Sequence, residues 1–183
     1  MKSDIPTSSG KRDLSISMER ANLGVLFFAL PVVIIQFLLF EYIHQDADAS
    51  ITWNFLFFLL VVIVGIIIHE AIHGITWAGF GRKPWSAIKF GFQLKTLTPY
   101  CHVKEPIEIN AYRIGAFMPG LIVGILPYIY SLITGDANWF WFGLIHTSSA
   151  GGDWLVLWLI RGVKAGSLVE DHPTQAGCYV LEG

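Results

Sequence analysis

Cysteine and charge are scarce in this sequence, and each shortage excludes a class of protein. Only 2 of the 183 residues are cysteine, and 14% are Asp, Glu, Lys or Arg. Neither cysteine has a partner at zinc-finger spacing, so a cysteine-built metal domain is excluded. Hydrophobic residues make up 54% of the chain, which is too apolar for a soluble fold of this size. The net charge of −2 gives no reason to expect binding to nucleic acid.

Four long apolar stretches occupy most of the chain, at residues 22–42, 53–77, 112–133 and 139–160. Each is near or above the roughly 20 residues that an α-helix needs to cross a bilayer. The sequence therefore predicts an all-α membrane protein, with a four-span bundle in residues 21–165. We expect a flexible cytoplasmic tail in residues 1–20 and a second cytoplasmic tail in residues 166–183. Loose alternation of apolar residues in 86–109 predicts a short cytoplasmic β-hairpin between spans two and three.

The basic residues predict the orientation of these spans. All 12 Lys and Arg lie before the first stretch, between the second and third, or after the fourth. The two remaining loops contain Asp46, Asp48 and Asp136 instead. By the positive-inside rule we expect a multi-pass protein of the cell membrane, with both termini in the cytoplasm and the first stretch acting as a signal anchor. Cys101 and Cys178 then lie on the cytoplasmic side, where free thiols are expected.

The second stretch contains the sequence HEAIH at residues 69–73. An α-helix places His69 and His73 on one face, one turn apart, so both imidazoles can reach one metal ion. Glu70 lies about 100° around the helix, where it can act on a water molecule beside the metal without binding the metal itself. This HExxH spacing is typical of zinc peptidases. A purely structural His pair is the alternative, but ionisable residues at membrane depth generally have a function.

A catalytic zinc site with two histidines needs a third protein ligand, and a carboxylate suits it. Asp153 in the fourth stretch is the candidate. A rise of 1.5 Å per residue places it about 11 Å from the cytoplasmic end at Arg161, and the same count places His69 about 12 Å from the end of the second stretch. The two depths agree. Gly151 and Gly152 beside Asp153 would allow the backbones to approach closely.

Four other residues are weaker candidates for the site. His146, two turns outward along the fourth stretch, would be a reserve ligand or would line the substrate path. His102, in the predicted hairpin, would approach the metal or would be an ordinary surface residue. Either histidine is an option for stabilising an oxyanion. Asp171 and His172 are an alternative carboxylate and imidazole source, but they lie in a proline-limited turn outside the membrane.

Together these residues predict a zinc-dependent intramembrane metalloprotease that hydrolyses a peptide bond of a membrane-embedded protein or peptide near the cytoplasmic face. Zn²⁺ is the expected cofactor, Glu70 the expected base, and the lipid bilayer the surrounding partner. The edge of the predicted hairpin would pair with an extended substrate, or the hairpin is a plain connector. Two other functions stay open, a catalytically silent metal-binding scaffold and a metal carrier, since His and Asp at mid-membrane also mark ion paths. Glu70 favours hydrolysis, because neither alternative needs a base there.

The motifs resemble a family of small four-span bacterial membrane proteins grouped as zincin peptidases. HEAIH in the second span, KEPI followed by YRIGAFMPG before and in the third, GGD in the fourth and DHP in the tail carry this resemblance. More distantly the sequence resembles site-2 proteases, which implies His69, His73 and Asp153 as ligands and Glu70 as the base. It departs from them in having glycine before Asp153 and tryptophan after it, and in lacking a PDZ-like domain that selects substrates. The resemblance therefore extends to the metal site and not to substrate recognition.

Overall fold

The computed structural model of the chain describes residues 10–45, 49–94 and 98–182. Within these residues the protein is mostly helical. The helices are α1 Met18–Ile43, α2 Phe55–Phe80, α3 Ile109–Pro119, α4 Leu126–Thr134, α5 Ala137–Ser149 and α6 Gly151–Leu159. A π-helical segment, Gly120–Ile125, joins α3 to α4 without a break. It begins directly after Pro119, which has no N–H to continue the α-helical hydrogen bonds.

Three helical runs of the described residues are long and apolar enough to cross a membrane. They are α1, α2 and the continuous run Ile109–Thr134, and each has 26 residues. This agrees with the predicted class of membrane protein. The large apolar side chains that α1 and α2 turn outward, such as Phe27 at 82% exposure, suit contact with lipid.

The predicted fourth span, residues 139–160, is divided between α5 and α6. The division falls at Ala150, whose backbone has φ −71° and ψ −1°. The N–H of Ala150 donates to the His146 carbonyl and the N–H of Trp154 donates to the Ala150 carbonyl, so helical hydrogen bonds continue across the division. With 13 and 9 residues, neither helix alone reaches the length of a span. The four-span bundle therefore stays a prediction.

The described chain also contains six strands, so the predicted all-α class was wrong in this respect. They are β1 Lys11–Ile16, β2 Ile88–Gln93, β3 Thr98–Val103, β4 Ile107–Glu108, β5 Leu168–Asp171 and β6 Ala176–Leu181. An antiparallel four-stranded sheet has the order β1-β6-β5-β4. Strands β2 and β3 form a separate antiparallel pair between α2 and α3. The cytoplasmic position of that pair stays a prediction.

Strand β1 lies inside the predicted flexible tail of residues 1–20. Its six residues pair with β6, from Lys11 opposite Leu181 to Ile16 opposite Ala176. The partner strand is at the other end of the chain, so the local pattern of apolar residues gave no sign of the pairing. The rest of that tail, residues 1–9, lies outside the described residues. The division into domains at residues 20 and 165 stays a prediction.

The sheet and the helix ends share one buried core. Trp77 of α2 and Tyr112 of α3 stack with ring centroids 5.4 Å apart and planes 5° apart. Ile107, Val169 and Cys178 bring the strands into the same cluster, and each is at most 1% exposed. The core therefore fixes the position of the strands against α2 and α3.

Two charged side chains attach α3 to its neighbours. The Glu108 carboxylate caps α3 by accepting from the N–H of Asn110 at 2.8 Å and of Ala111 at 3.2 Å. It also accepts from the N–H of Gly166 at 2.9 Å. The guanidinium of Arg113 donates to the carbonyls of Ile160 and Val163 just beyond α6, at 2.8 and 2.7 Å. Helices α3 and α6 are therefore held together beside the sheet.

We predict that Glu108→Gln destabilises the protein by about 0.5–2 kcal/mol near neutral pH, the range for loss of a helix N-cap. Although burial raises the pKa of Glu108, the three N–H donors and Arg113 hold it below its ordinary value. A lowered folded-state pKa gives stability that is present above the unfolded-state pKa and is lost as the pH falls through the folded-state value. The difference in free energy of unfolding between the parent and the variant should therefore become smaller as the pH is lowered from about 7 to about 3.

Glu105→Gln is the matched control, because the Glu105 carboxylate is 3.4 Å from Lys83 at the surface. Such a pair contributes about 0–1 kcal/mol, so this variant should change little. A deficit in Glu108→Gln that stays constant with pH would contradict the capping role.

Candidate metal centre

Helix α2 places His69 and His73 four residues apart on one buried face. Their ring centroids lie 5.0 Å apart, and the two residues are 7% and 5% exposed. Glu70 lies beside them, and one ligand atom from each of the three side chains can be chosen so that all lie within 4.8 Å of one another. The HExxH spacing thus produces a compact cluster of two imidazoles and one carboxylate.

Asp153 of α6 meets both imidazoles. Its Oδ2 is 3.1 Å from His69 Nε2, and its Oδ1 is 3.3 Å from His73 Nε2. The carboxylate therefore spans the two rings, as expected if all three side chains hold one cation between α2 and α6. Two imidazoles and a carboxylate are a donor set that Zn²⁺ takes in catalytic sites, with a fourth position left for water. The residues fit the metal, while the assignment of each as a ligand stays a prediction.

The tautomer of His73 is set by the backbone of α3. Its Nδ1–H donates to the carbonyl of Gly115 at 2.9 Å. A neutral imidazole carries one N–H, so Nε2 keeps its lone pair and faces Asp153. This is the form a metal ligand needs, and such supporting hydrogen bonds typically orient ligand histidines.

Trp77 and Gly115 make this hydrogen bond possible. The Trp77 ring stacks on His73 with centroids 5.1 Å apart, and its Nε1–H donates to the Tyr112 carbonyl at 3.2 Å. A Cβ on Gly115 would lie 2.0 Å from Trp77 Nε1. Only glycine lets α3 approach α2 closely enough for its carbonyl to reach His73.

Glu70 faces strand β3 as well as the histidines. The backbone N–H of Cys101 is within hydrogen-bonding reach of the Glu70 carboxylate. Burial raises the pKa of the Cys101 thiol, and the nearby negative charges of Glu70 and Asp171 raise it further, so this thiol stays protonated. Cys101 therefore lies between two carboxylates, one on α2 and one on β5.

A cavity of about 850 Å³ opens over the cluster. This volume lies within the range of small-ligand and peptide sites. Its wall includes the first turns of α1, the metal-side face of α2, the Asp153 turn of α6, the β2–β3 pair and the turn between β5 and β6. Helix α1 packs against α5 and α6, whereas α2 packs against α3, and the cavity lies between these two sets.

The weaker candidates lie apart from the Asp153 contacts. His146 is fully buried on α5, with its ring centroid 4.4 Å from that of Phe142. It packs against Gly65, one turn before His69, where an added Cβ would lie 2.3 Å from its Nε2. His102 lines the cavity and contacts Asp171 instead of the metal cluster. His172 Nδ1 accepts the N–H groups of Thr174 and Gln175 in the β5–β6 turn.

Three groups that support the site were not predicted from the sequence: the Trp77 ring, the Gly115 carbonyl and the backbone amide of Cys101. Trp77 had a usable signal, because it follows His73 by four residues and so shares its face. Gly115 had none apart from its place in the third apolar stretch. The Cys101 amide had none either, since a backbone donor is invisible in a residue pattern.

Comparison with known proteins assigns the family. The described chain has three helical runs that could cross a membrane and an HExxH cluster that could hold a metal ion. The model of the family described as "Putative zincin peptidase" matches residues 62–168, more than half of the chain, and the chain belongs to that family. The matched region contains His69, Glu70, His73 and Asp153.

A curated protein resembles part of the chain, whereas no solved structure matches it. The relative is the "Uncharacterized 24.7 kDa protein in gap 5'region" of Pyrococcus woesei, which is 23% identical over 120 residues. The aligned region covers 64% of this chain and 52% of the relative. The chain thus spans about half the length of the curated relative it matches.

We predict that Gly115→Ala weakens zinc binding by about 10- to 100-fold, the usual effect of losing a hydrogen bond that orients a metal ligand. The added Cβ would force Trp77 and α3 apart and withdraw the carbonyl from His73. Zinc affinity is measured by competition with a chelator in detergent solution.

Gly79→Ala is the matched control on α2, because an added Cβ there has no heavy atom within 4 Å. Circular dichroism of both variants checks that the helices are intact. Equal zinc affinity of a folded Gly115→Ala protein and the parent would show that the Gly115 carbonyl does not support the site.

Proposed function

We propose that this protein is a zinc-dependent metalloprotease that cuts a membrane-embedded protein or peptide near the cytoplasmic face. The observation that supports it best is the position of Glu70, an acidic side chain at the cavity beside two imidazoles that converge on Asp153. Membership of a zincin peptidase family supports the same reaction class.

Each polar side chain of the cluster has a role in this proposal. His69, His73 and Asp153 would hold the cation. Zn²⁺, when bound there, supplies Lewis acidity that polarises the carbonyl of the substrate and makes water more acidic. Glu70 accepts a proton from the attacking water while the water oxygen bonds to the carbonyl carbon. Glu70 then delivers that proton to the nitrogen as the C–N bond breaks, so one water is divided between a carboxyl and an amine product.

The depth of the cluster supports a membrane-embedded substrate. The ligands lie on α2 and α6, and α2 is long and apolar enough to span the bilayer. The predicted orientation puts their end of α2 near the cytoplasm. A peptide bond inside a helix is shielded, so the substrate must be extended where it is cut. We also propose that the protein is similar to site-2 proteases.

The backbone of strand β3 offers such a substrate more hydrogen-bond acceptors than donors. On the edge of β3 that faces α2, the N–H of Cys101 is within hydrogen-bonding reach of the Glu70 carboxylate. The N–H of Val103 on the same edge donates to Asp171 at 2.9 Å. Pro99, the remaining residue of that edge, has no N–H. The carbonyls of the edge point the same way and can accept N–H groups of an extended chain.

We predict that Glu70→Gln abolishes cleavage and leaves zinc content near normal. Loss of a general base typically slows a reaction by 10²- to 10⁴-fold, and Gln keeps the size of the side chain without its basicity. The assay uses zinc-loaded protein in liposomes with single-span peptides that contain a Gly-Pro break near the inner face. Mass spectrometry detects new termini.

Glu41→Gln, at the exposed outer end of α1, is the matched control and should cleave normally. Cleavage by Glu70→Gln at the parent rate would rule out Glu70 as the base. Zinc flux into liposomes by a parent protein that cleaves no peptide would support the metal carrier instead. Zinc binding with neither cleavage nor flux would support the silent scaffold.

A further inference from the structure

A second carboxylate–imidazole pair lines the same cavity as the metal cluster. His102 Nδ1 on β3 is 3.3 Å from Asp171 Oδ2 at the end of β5. The Asp171 side chain is 8% exposed and the His102 side chain 24% exposed. The carboxylate is thus buried behind the imidazole, and the imidazole faces the cavity.

Asp171 is fixed by two further donors. Its Oδ1 accepts the hydroxyl of Tyr112 at 2.5 Å, and its Oδ2 accepts the N–H of Val103 at 2.9 Å. Burial raises the pKa of the Asp171 carboxyl above its ordinary value, although His102, the Tyr112 hydroxyl and the Val103 N–H act in the opposite direction. Two donors already point at this group, so it acts as an acceptor towards His102.

The Asp171 acceptor beside Nδ1 determines which hydrogen bond His102 Nε2 can make. The neutral ring places its single N–H on Nδ1, where it donates to Asp171, and Nε2 keeps its lone pair. A carboxylate that orients a histidine in this way fixes both the tautomer and the ring direction. His102 therefore presents a hydrogen-bond acceptor from a position held by the protein.

The acceptor belongs to the same cavity as the proposed reaction site. His102 lines that cavity together with Glu70, His73 and Asp153. Its chain neighbour Cys101 is the residue whose amide reaches Glu70. The Tyr112 ring stacks on Trp77, which stacks on His73, and the Tyr112 hydroxyl donates to Asp171, so a chain of contacts links Asp171 to His73.

We propose that His102 Nε2 accepts a hydrogen bond from an amide N–H of the peptide that lies across the metal centre, and that Asp171 is the positioning residue that orients it. The substrate class is an extended peptide backbone, in agreement with the acceptor carbonyls along β3. This inference rests on the proposed protease function, because it assigns a substrate contact to that site.

The tautomer is tested first, in zinc-loaded Glu70→Gln protein in detergent micelles, labelled with ¹⁵N-histidine. The His102 signals are assigned by their loss in His102→Phe. Nitrogen NMR should show His102 protonated at Nδ1 and unprotonated at Nε2. In Asp171→Asn, which keeps an oxygen acceptor and loses the charge, the Nδ1–H preference should weaken. A proton on Nε2 and none on Nδ1 in the Glu70→Gln protein that carries no further substitution would overturn the proposal.

Binding is then tested with N-acetylalanine N-methylamide, a minimal peptide unit. Its methyl ester, which lacks the terminal N–H, is the control ligand. The amide should shift the His102 Nε2 resonance and the ester should shift it less. His102→Phe should weaken amide binding about tenfold, the order expected for one hydrogen bond, whereas His102→Gln should keep most of it through its side-chain oxygen. Equal binding of amide and ester, or no shift with either, would overturn the contact.

The experiment separates this inference from the proposed function, because Glu70→Gln binds without turnover. A normal amide shift in Glu70→Gln, together with a parent protein that cleaves no peptide, would count against the protease and leave the His102 contact standing. If the parent cleaves peptides, His102→Phe should raise KM about tenfold and change kcat less, because a contact made equally in the bound and transition states acts mainly on KM. Cleavage by His102→Phe with parent KM would overturn the contact.

Discussion

The meeting of one carboxylate with two imidazoles inside apolar helices is the constraint on which the rest of the structure depends. Ionisable groups at membrane depth cost several kcal/mol unless they are paired or bind a metal. Asp153 reaches both rings within 3.3 Å only if α6 and α2 are held close and at matching depth. Arg113 holds α3 to the end of α6, and Trp77 fills the space between α2 and α3. The packing around the cluster therefore keeps the Asp153 carboxylate in contact with the two imidazoles.

The core of the site could be predicted from the sequence because helical geometry is regular. The spacing of His69 and His73 places them on one face whatever surrounds the helix. Counting residues from two different span ends predicts Asp153, and the structure places its Oδ2 3.1 Å from His69 Nε2. Three of the four predicted apolar stretches correspond to helical runs of span length, since hydrophobic length is itself the signal.

The remaining parts depend on contacts between distant segments, which no local pattern encodes. Strand β1 pairs with β6 across almost the whole chain, and its sequence KRDLSI is largely polar. The fourth stretch is divided at Ala150 without a proline to mark the division. Asp171 was ranked as a spare ligand because its own neighbours suggest a loose turn. Its contacts with Tyr112 and Val103, about 60 and 70 residues earlier in the sequence, give it a different role.

The π-helical segment Gly120–Ile125 separates two halves of a helical run that make different contacts. A π-helix carries one extra residue per turn, so the hydrogen bonds on either side of it belong to different registers. A Cβ added at Gly124 would lie 2.8 Å from the Thr147 backbone of α5, and one added at Gly120 would lie 2.9 Å from the side chain of Ala150, between α5 and α6. The α4 half of the run packs against α5, whereas the α3 half is hydrogen-bonded to His73 through the Gly115 carbonyl. A larger residue at Gly124 would therefore press on α5 at Thr147, and not on the contact that orients His73.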